Sequence, residues 1–224
     1  MKEFDLIVCP DYDDLSKRSA QFVFDELLKK SSKKFVLGLA TGRTQIGFKK
    51  EFLQLVVLKR PNLSDLYLFN LDEYWPIRRD DSWSYFQEMD KDFWQPLEKL
   101  NLGFSRERAF IPNGEAKDPC EEAVCYEELI KKHGGIDLQI LGIGAEGHIG
   151  FNERGSSFDC RTRIVELSDS TREANSHFFN QNKKVVPTKA ITMGIATILE
   201  SKKIILLADG QRKKSILYWV IKLR

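Results

Sequence analysis

Between positions 142 and 153 the chain reads Gly142-Ile143-Gly144-Ala145-Glu146-Gly147-His148-Ile149-Gly150-Phe151-Asn152-Glu153. Glycines, two carboxylates, an asparagine and one of the three histidines of the sequence share this stretch, with neither the run nor the alternation of apolar residues that a buried element needs. A histidine titrates near neutrality and moves protons with little tuning. Glu146 and Glu153 can each orient the His148 ring and fix its tautomer. Other readings are a loop histidine satisfied by its own carboxylates, and a metal site of His148, Glu146 and Glu153. The latter has only His133 and His177 as further imidazoles to draw on. Gly142-x-Gly144 hints at a dinucleotide turn, but the rest of that fingerprint is missing.

Three other groups can carry chemistry. Thr41-Gly42-Arg43-Thr44 suits an anion: amides at a glycine turn and a helix start can cradle a phosphate, with side-chain donors beside them. The same residues also read as an ordinary capped helix start, and they lack the nucleotide-loop pattern GxxxxGK[ST]. Asp72 can cap the segment that follows it, or act as a general base if partial burial raises its pKa toward neutrality. Arg161, Arg163 and Arg172 form a positive cluster able to grip a phosphate in bidentate fashion, or simply a solvated face.

The elements that must position these groups follow from periodicity and punctuation. Residues 4–9, 35–40, 66–70, 136–141 and 203–208 read as strands, and 109–112 as a short extended piece. Helical spacing covers 12–30, with Asp13 or Asp14 as cap, and 45–58, 83–94, 119–133, 170–179, 192–199 and 211–223. The aromatic residues Tyr85, Phe86, Phe93 and Trp94 are expected in a core rather than stacked on bases. Residues 155–168 read as loop and short strand. The repeated strand–loop–helix order predicts a three-layer α/β/α sandwich with a mostly parallel, Rossmann-like sheet. The candidate groups then stand at strand tips, where open α/β sheets bind ligands.

Composition narrows the class. The chain has 224 residues, 42% hydrophobic and 30% charged, with a formal net charge of +2. That size supports a core without disulfides or structural metal, and the charge gives no signal for nucleic acid or an anionic membrane. Cys9, Cys120, Cys125 and Cys160 show no CxxC spacing, consistent with ordinary thiols in a cytoplasmic protein. No signal peptide or long apolar run is present, and nothing divides the chain, so a single domain over 1–224 is expected.

At this point the sequence resembles the glucosamine-6-phosphate deaminase (glucosamine/galactosamine-6-phosphate isomerase) family over nearly its whole length. The resemblance rests on Leu37-Gly38-Leu39-Ala40-Thr41-Gly42, Phe69-Asn70-Leu71-Asp72-Glu73-Tyr74, Gly147-His148-Ile149-Gly150-Phe151-Asn152-Glu153, Ser156-Ser157-Phe158, Arg161-Thr162-Arg163, Thr171-Arg172-Glu173-Ala174-Asn175, Val186-Pro187 and Thr192-Met193-Gly194-Ile195. It implies a cofactor-free, metal-free enzyme that converts glucosamine 6-phosphate and water to fructose 6-phosphate and ammonia, and a place among the hydrolases of amino-sugar metabolism. By carry-over, Asp72 moves a proton between C2 and C1. His148 assists ring opening with Glu153 as its partner and Glu146 beside it. Thr41, Gly42, Arg43 and Thr44 hold the 6-phosphate, with His177 and Arg212 at two further family phosphate positions. The alternatives are the galactosamine epimer as substrate, or a sugar-phosphate-binding protein with little or no turnover. The resemblance leaves monomer and homo-oligomer both open.

The chain departs from the family pattern in places. Family members usually carry glycine or serine and then Thr-Pro where this chain has Arg43-Thr44-Gln45. His177 replaces a phosphate-gripping arginine. The family lysine after the last strand aligns with Arg212, or with Lys213 if the register shifts by one. Arg154 replaces a proline, and the C-terminus is short relative to the family. Ser156 and Arg163 fall in a regulatory anion site of some members, but Val165 occupies that site's lysine position, so such activation is expected to be absent or altered.

Overall fold

The computed structural model describes residues 4–30 and 33–222. Helix α1 (Tyr12–Lys29) precedes β1 (Phe35–Leu39), and α2 (Arg43–Lys59) leads to β2 (Leu66–Asn70). After one residue comes β3 (Asp72–Trp75), then α3 (Tyr85–Met89), a π-helical stretch (Asp90–Trp94) and α4 (Gln95–Lys99). β4 (Ala109–Phe110), α5 (Pro119–Lys132), β5 (Leu138–Gly142) and β6 (Arg163–Glu166) follow. The last elements are α6 (Asp169–Asn175), β7 (Lys189–Thr192), α7 (Ile195–Leu199), β8 (Lys203–Leu207) and α8 (Lys214–Lys222).

The main sheet has the order β4-β2-β1-β5-β8, and every pairing in it is parallel. Alternation along β1 shows why its sequence is a continuous apolar run. Phe35, Leu37 and Leu39 pack with Phe24 of α1, Phe48 and Phe52 of α2, and Phe93 and Trp94. Val36 and Ala40 turn to the other face and meet Tyr126 and Ile130 of α5 and Ile198 of α7. A strand buried on both sides has no polar face to alternate. The three layers and the mostly parallel sheet expected from the sequence are present.

β1 lies between β2 and β5, so the chain leaves its neighbours toward opposite edges of the sheet. A crevice opens at such a switch point, at the carboxyl ends of the strands. The ends of β1, β2 and β5 deliver Thr41, Asp72 and the 142–153 loop to that rim.

A second, antiparallel sheet of order β3-β7-β6 sits beside the first. Leu71 is the seam: its amide donates to Leu39 O at 2.8 Å, and its carbonyl accepts from Met193 N at 2.8 Å. The small sheet has its own core of Tyr74, Phe151, Leu167, Phe179 and Val186.

Several expectations need correction. Residues 4–9 are not a strand, and Phe4, Leu6, Ile7 and Val8 are exposed. The helix expected over 192–199 starts later, as α7, because Thr192 ends strand β7, which the sequence pattern does not show. Ala190 and Ile191 of β7 are buried on opposite faces of a four-residue strand, too short to show a period. Asp11, not Asp13 or Asp14, caps α1, accepting from Asp14 N at 2.8 Å. Phe93 and Trp94 are buried in the core as expected, with Phe86 edge-on to Trp94. Among the described residues no helix is long and apolar enough to cross a membrane.

Candidate active site at the seam of the two sheets

Asp72 opens β3 where the chain crosses from one sheet to the other, and it is 4% exposed. It pairs in register with Thr192, whose hydroxyl lies 3.5 Å from Asp72 Oδ2. Burial, reinforced by the charge of neighbouring Glu73, pushes the Asp72 carboxyl up to about 8. Glu73 is also buried, and burial pushes it up to about 7 against the hydrogen bonds it accepts from Tyr85 N, Phe86 N and Tyr74 N. The bonds from Tyr85 N and Phe86 N make Glu73 an anchor for the start of α3, a structural use of a carboxylate one residue from the candidate base.

The 142–153 loop folds back toward Asp72. Gly144 N donates to His148 O at 2.8 Å and Gly147 N to Gly144 O at 3.1 Å, closing a tight turn. Two glycines are required by contact. A Cβ on Gly144 would fall 2.2 Å from His148 Nε2, so the imidazole lies against bare backbone. A Cβ on Gly150 would meet Leu71 Cδ2 at 2.8 Å and Asp72 Oδ2 at 3.0 Å, and Gly150 has φ +57°. Phe151 N donates to Thr192 Oγ1 at 3.3 Å. Thr192 thus ties the loop that bears His148 to the strand carrying Asp72.

Burial holds the His148 imidazole below its usual pKa and nearby Lys213 adds to this, while Glu153 and Glu146 pull the other way. Burial opposes ionisation of Glu153, but hydrogen bonds from Thr171 and Ser168, with the charge of His148, outweigh it and keep its pKa below the usual glutamate range. Glu153 Oε1 accepts from Thr171 Oγ1 at 2.6 Å, Ser168 Oγ at 3.0 Å and Ser168 N at 3.1 Å. It acts on His148 through its field; among the described residues no direct hydrogen bond joins the two. Glu146 is exposed at the loop tip.

The expected phosphate residues separate into two groups. Thr41, Gly42 and Thr44 are half-buried where β1 passes into α2, with Gly42 at φ 102° as the helix N-cap and Arg43 exposed beside it. His177 is exposed in a turn after α6, its Nδ1 bonded to Ala174 O. Arg212 is exposed in the turn before α8, whereas half-buried Lys213 donates to Ile143 O inside the 142–153 loop. The register shifted by one is therefore the one that reaches the site: Lys213 points in and Arg212 points out.

The arginine cluster is engaged by the protein itself. Arg161 pairs with Glu200 and Glu127, and Arg172 donates to the carbonyls of Lys183 and Val186. Arg163 donates to Asn152 Oδ1 at 2.8 Å and Ser156 Oγ at 3.0 Å. Asn152 in turn donates to Met193 O at 2.7 Å and Ile149 O at 3.0 Å, so Ser156, Arg163 and Asn152 brace the 142–153 loop. Thr171, Ser168 and Thr192 carry no titratable group that would mark them in the sequence as site residues, although Thr171 and Thr192 lie inside motifs of the resemblance.

Among the described residues no group of three or more histidine, cysteine or carboxylate side chains is gathered to share a metal ion. A cavity of about 420 Å³ lies elsewhere, walled by Ile77, Trp83, Phe179 and Pro187 with Asp81 and Glu115, and none of the candidate site residues lines it.

Comparison with known proteins fits this geometry. The family described as glucosamine-6-phosphate isomerases/6-phosphogluconolactonase matches residues 10–223. The chain belongs to this family. A glucosamine-6-phosphate deaminase of Clostridium botulinum (strain Eklund 17B / Type B) is 46% identical over 215 residues, 95% of this chain and 82% of that protein. One from Halalkalibacterium halodurans is 44% identical over 219 residues, covering 96% and 85%. The solved structure of a monomeric glucosamine-6-phosphate deaminase superposes with a TM-score of 0.92 at 39% identity, covering 98% of this chain and 88% of that one. A 6-phosphogluconolactonase from Thermotoga maritima shares the fold alone, with a TM-score of 0.70 at 16% identity over 95% and 87%. The hydrolase class expected from the sequence does not stand: the family is described as isomerases and the relatives as deaminases, a reaction of lyase or isomerase type.

Proposed function

We propose that this protein isomerises and deaminates glucosamine 6-phosphate, giving fructose 6-phosphate and ammonia without a cofactor. The observation that carries the reading is a buried carboxylate, Asp72, held near neutrality by its surroundings and abutted by the loop that bears His148. A carboxylate removes a carbon-bound proton only when it is close, partly desolvated and basic enough. Burial supplies both desolvation and basicity here.

In this reading His148, neutral at pH 7, relays the proton that opens the pyranose ring, with Glu153 steadying the imidazolium that forms transiently. Asp72 takes the proton from C2 of the open aldose and returns it to C1. That transfer, with an N–H proton passing to O1, leaves an imine at C2; water adds there and ammonia departs, giving the ketone. The 6-phosphate rests on the Thr41–Thr44 turn and the start of α2, where first-turn amides lack intrahelical acceptors, with Lys213 across the cleft.

Pure protein incubated with glucosamine 6-phosphate or galactosamine 6-phosphate, with ammonia and ketose phosphate measured, tests this. The expected result is stoichiometric release of both products from glucosamine 6-phosphate, abolished in Asp72→Asn. No product above the Asp72→Asn background from either sugar rejects the proposal.

A further inference from the structure

Gln45 stands in the first turn of α2, its amide donating to Gly42 O at 3.0 Å, so its backbone is part of the Thr41–Thr44 turn. Its side chain is 2% exposed and crosses to the other wall of the cleft. The Nε2 atom lies 3.6 Å from where a Cβ would stand on Gly142, the residue that opens the 142–153 loop. That nitrogen is buried and has no acceptor among the described residues. Buried donors are almost always bonded, and one left unmade is costly. The surroundings do not seal the site: Thr41, Gly42, Thr44 and Gly142 are all only partly covered. A donor that is enclosed, unmatched and framed by a helix N-terminus and a glycine strand end is placed for an incoming oxygen.

We propose that Gln45 Nε2 is a positioning donor to a phosphate oxygen of the substrate, fixing the anion between the α2 start and the Gly142 strand end. The proposal rests on the sugar-phosphate reading above. It follows from an unpaired polar atom rather than from a charge. Arg43 at the same turn is exposed and can only add long-range attraction, whereas Gln45 can set the distance between the phosphate and the sheet rim.

The test uses Gln45→Met, which keeps size and apolar stem but removes the donor, and Gln45→Glu, which puts an anion at the same point. The readouts are steady-state kinetics with glucosamine 6-phosphate and the rise in Tm caused by inorganic phosphate or fructose 6-phosphate. Gln45→Met is expected to raise KM roughly tenfold with kcat within about twofold. It should also lower the phosphate-induced Tm rise and leave the ligand-free Tm unchanged or higher, because an unmatched donor has been removed. Gln45→Glu should weaken phosphate binding further.

Wild-type KM and wild-type Tm response in Gln45→Met would overturn the inference. So would a ligand-free Tm that falls in Gln45→Met, since that would show the amide already has a partner in the empty protein. If the wild type releases no ammonia, the functional reading fails, while the Tm response to phosphate still decides the role of Gln45.

Discussion

Replacing Asp72 by asparagine separates what this side chain does for catalysis from what it costs the fold. The substitution keeps shape and removes the ionisable group. Burial lifts the carboxyl from an ordinary value of 3.8 to about 8. Between those values the folded protein keeps a proton that the unfolded chain has released, so the group destabilises the fold increasingly as pH rises, levelling off above about pH 8. Each pH unit in the window is worth about 1.4 kcal/mol. From about pH 5 to about pH 8 the wild type should therefore lose up to about 3–4 kcal/mol through Asp72 alone, and Asp72→Asn should not. Urea unfolding at those two pH values, with equal m-values as a check on two-state behaviour, reads the difference directly. Asp72→Asn should match the wild type in stability near pH 5 and exceed it near pH 8, keeping a shallower slope of about 2–3 kcal/mol over that range from Glu73, which burial raises to about 7. A variant that is less stable than the wild type at about pH 8, or that shows the same slope, would refute the argument that Asp72 is held protonated by burial.

Further outcomes follow from the contacts. Gly150→Ala places a methyl against Leu71 and Asp72 at a positive φ. It should cut kcat by at least about tenfold and cost about 1–3 kcal/mol of stability by thermal or urea melts; wild-type turnover would show that the loop need not touch Asp72. Thr171→Val removes the 2.6 Å bond to Glu153, so the Glu153 pKa rises and the acidic limb of the kcat/KM profile should move to higher pH; an unmoved limb would separate Glu153 from the rate. Lys213→Met should raise KM for glucosamine 6-phosphate by roughly tenfold or more, and Arg212→Met should change it less than about twofold; the reverse order would restore the unshifted register. Phe52→Ala, in the ring cluster with Phe24, Phe48 and Phe93, should cost about 3–5 kcal/mol with kcat little changed in the folded fraction.

The main sheet was legible because each of its long strands is a compact apolar run closed by a turn, and because α1 and α5 carry clear caps and stripes. The candidate chemistry was legible for the same reason in reverse: Asp72, His148 and Glu153 are titratable groups where a strand tip gives no packing reason for them. The small sheet was not. β7 is four residues, Lys189 to Thr192, half of it polar, and its partner is β3, which the sequence shows only as a continuation of β2. Missing that strand hid Thr192, the hydroxyl that joins Asp72 to the loop.

The phosphate residues were harder for a different reason. A basic residue in a one-dimensional pattern does not show whether it faces a ligand or the protein. Arg161, Arg163 and Arg172 all turned out to bond protein acceptors. The choice between Arg212 and Lys213 depended on which side of a single 3-10 turn faces the 142–153 loop, a matter of about 120° of rotation that spacing does not encode.

The most direct test of the account follows the proton itself. Glucosamine 6-phosphate carrying deuterium at C2 should show a primary isotope effect on ammonia release by the wild-type protein. The label should leave C2 and appear partly at C1 of the fructose 6-phosphate. Asp72→Asn should release neither ammonia nor label. Turnover by Asp72→Asn at a rate near that of the wild type, or product formation that leaves the C2 label in place, would contradict the assignment of Asp72 as the base.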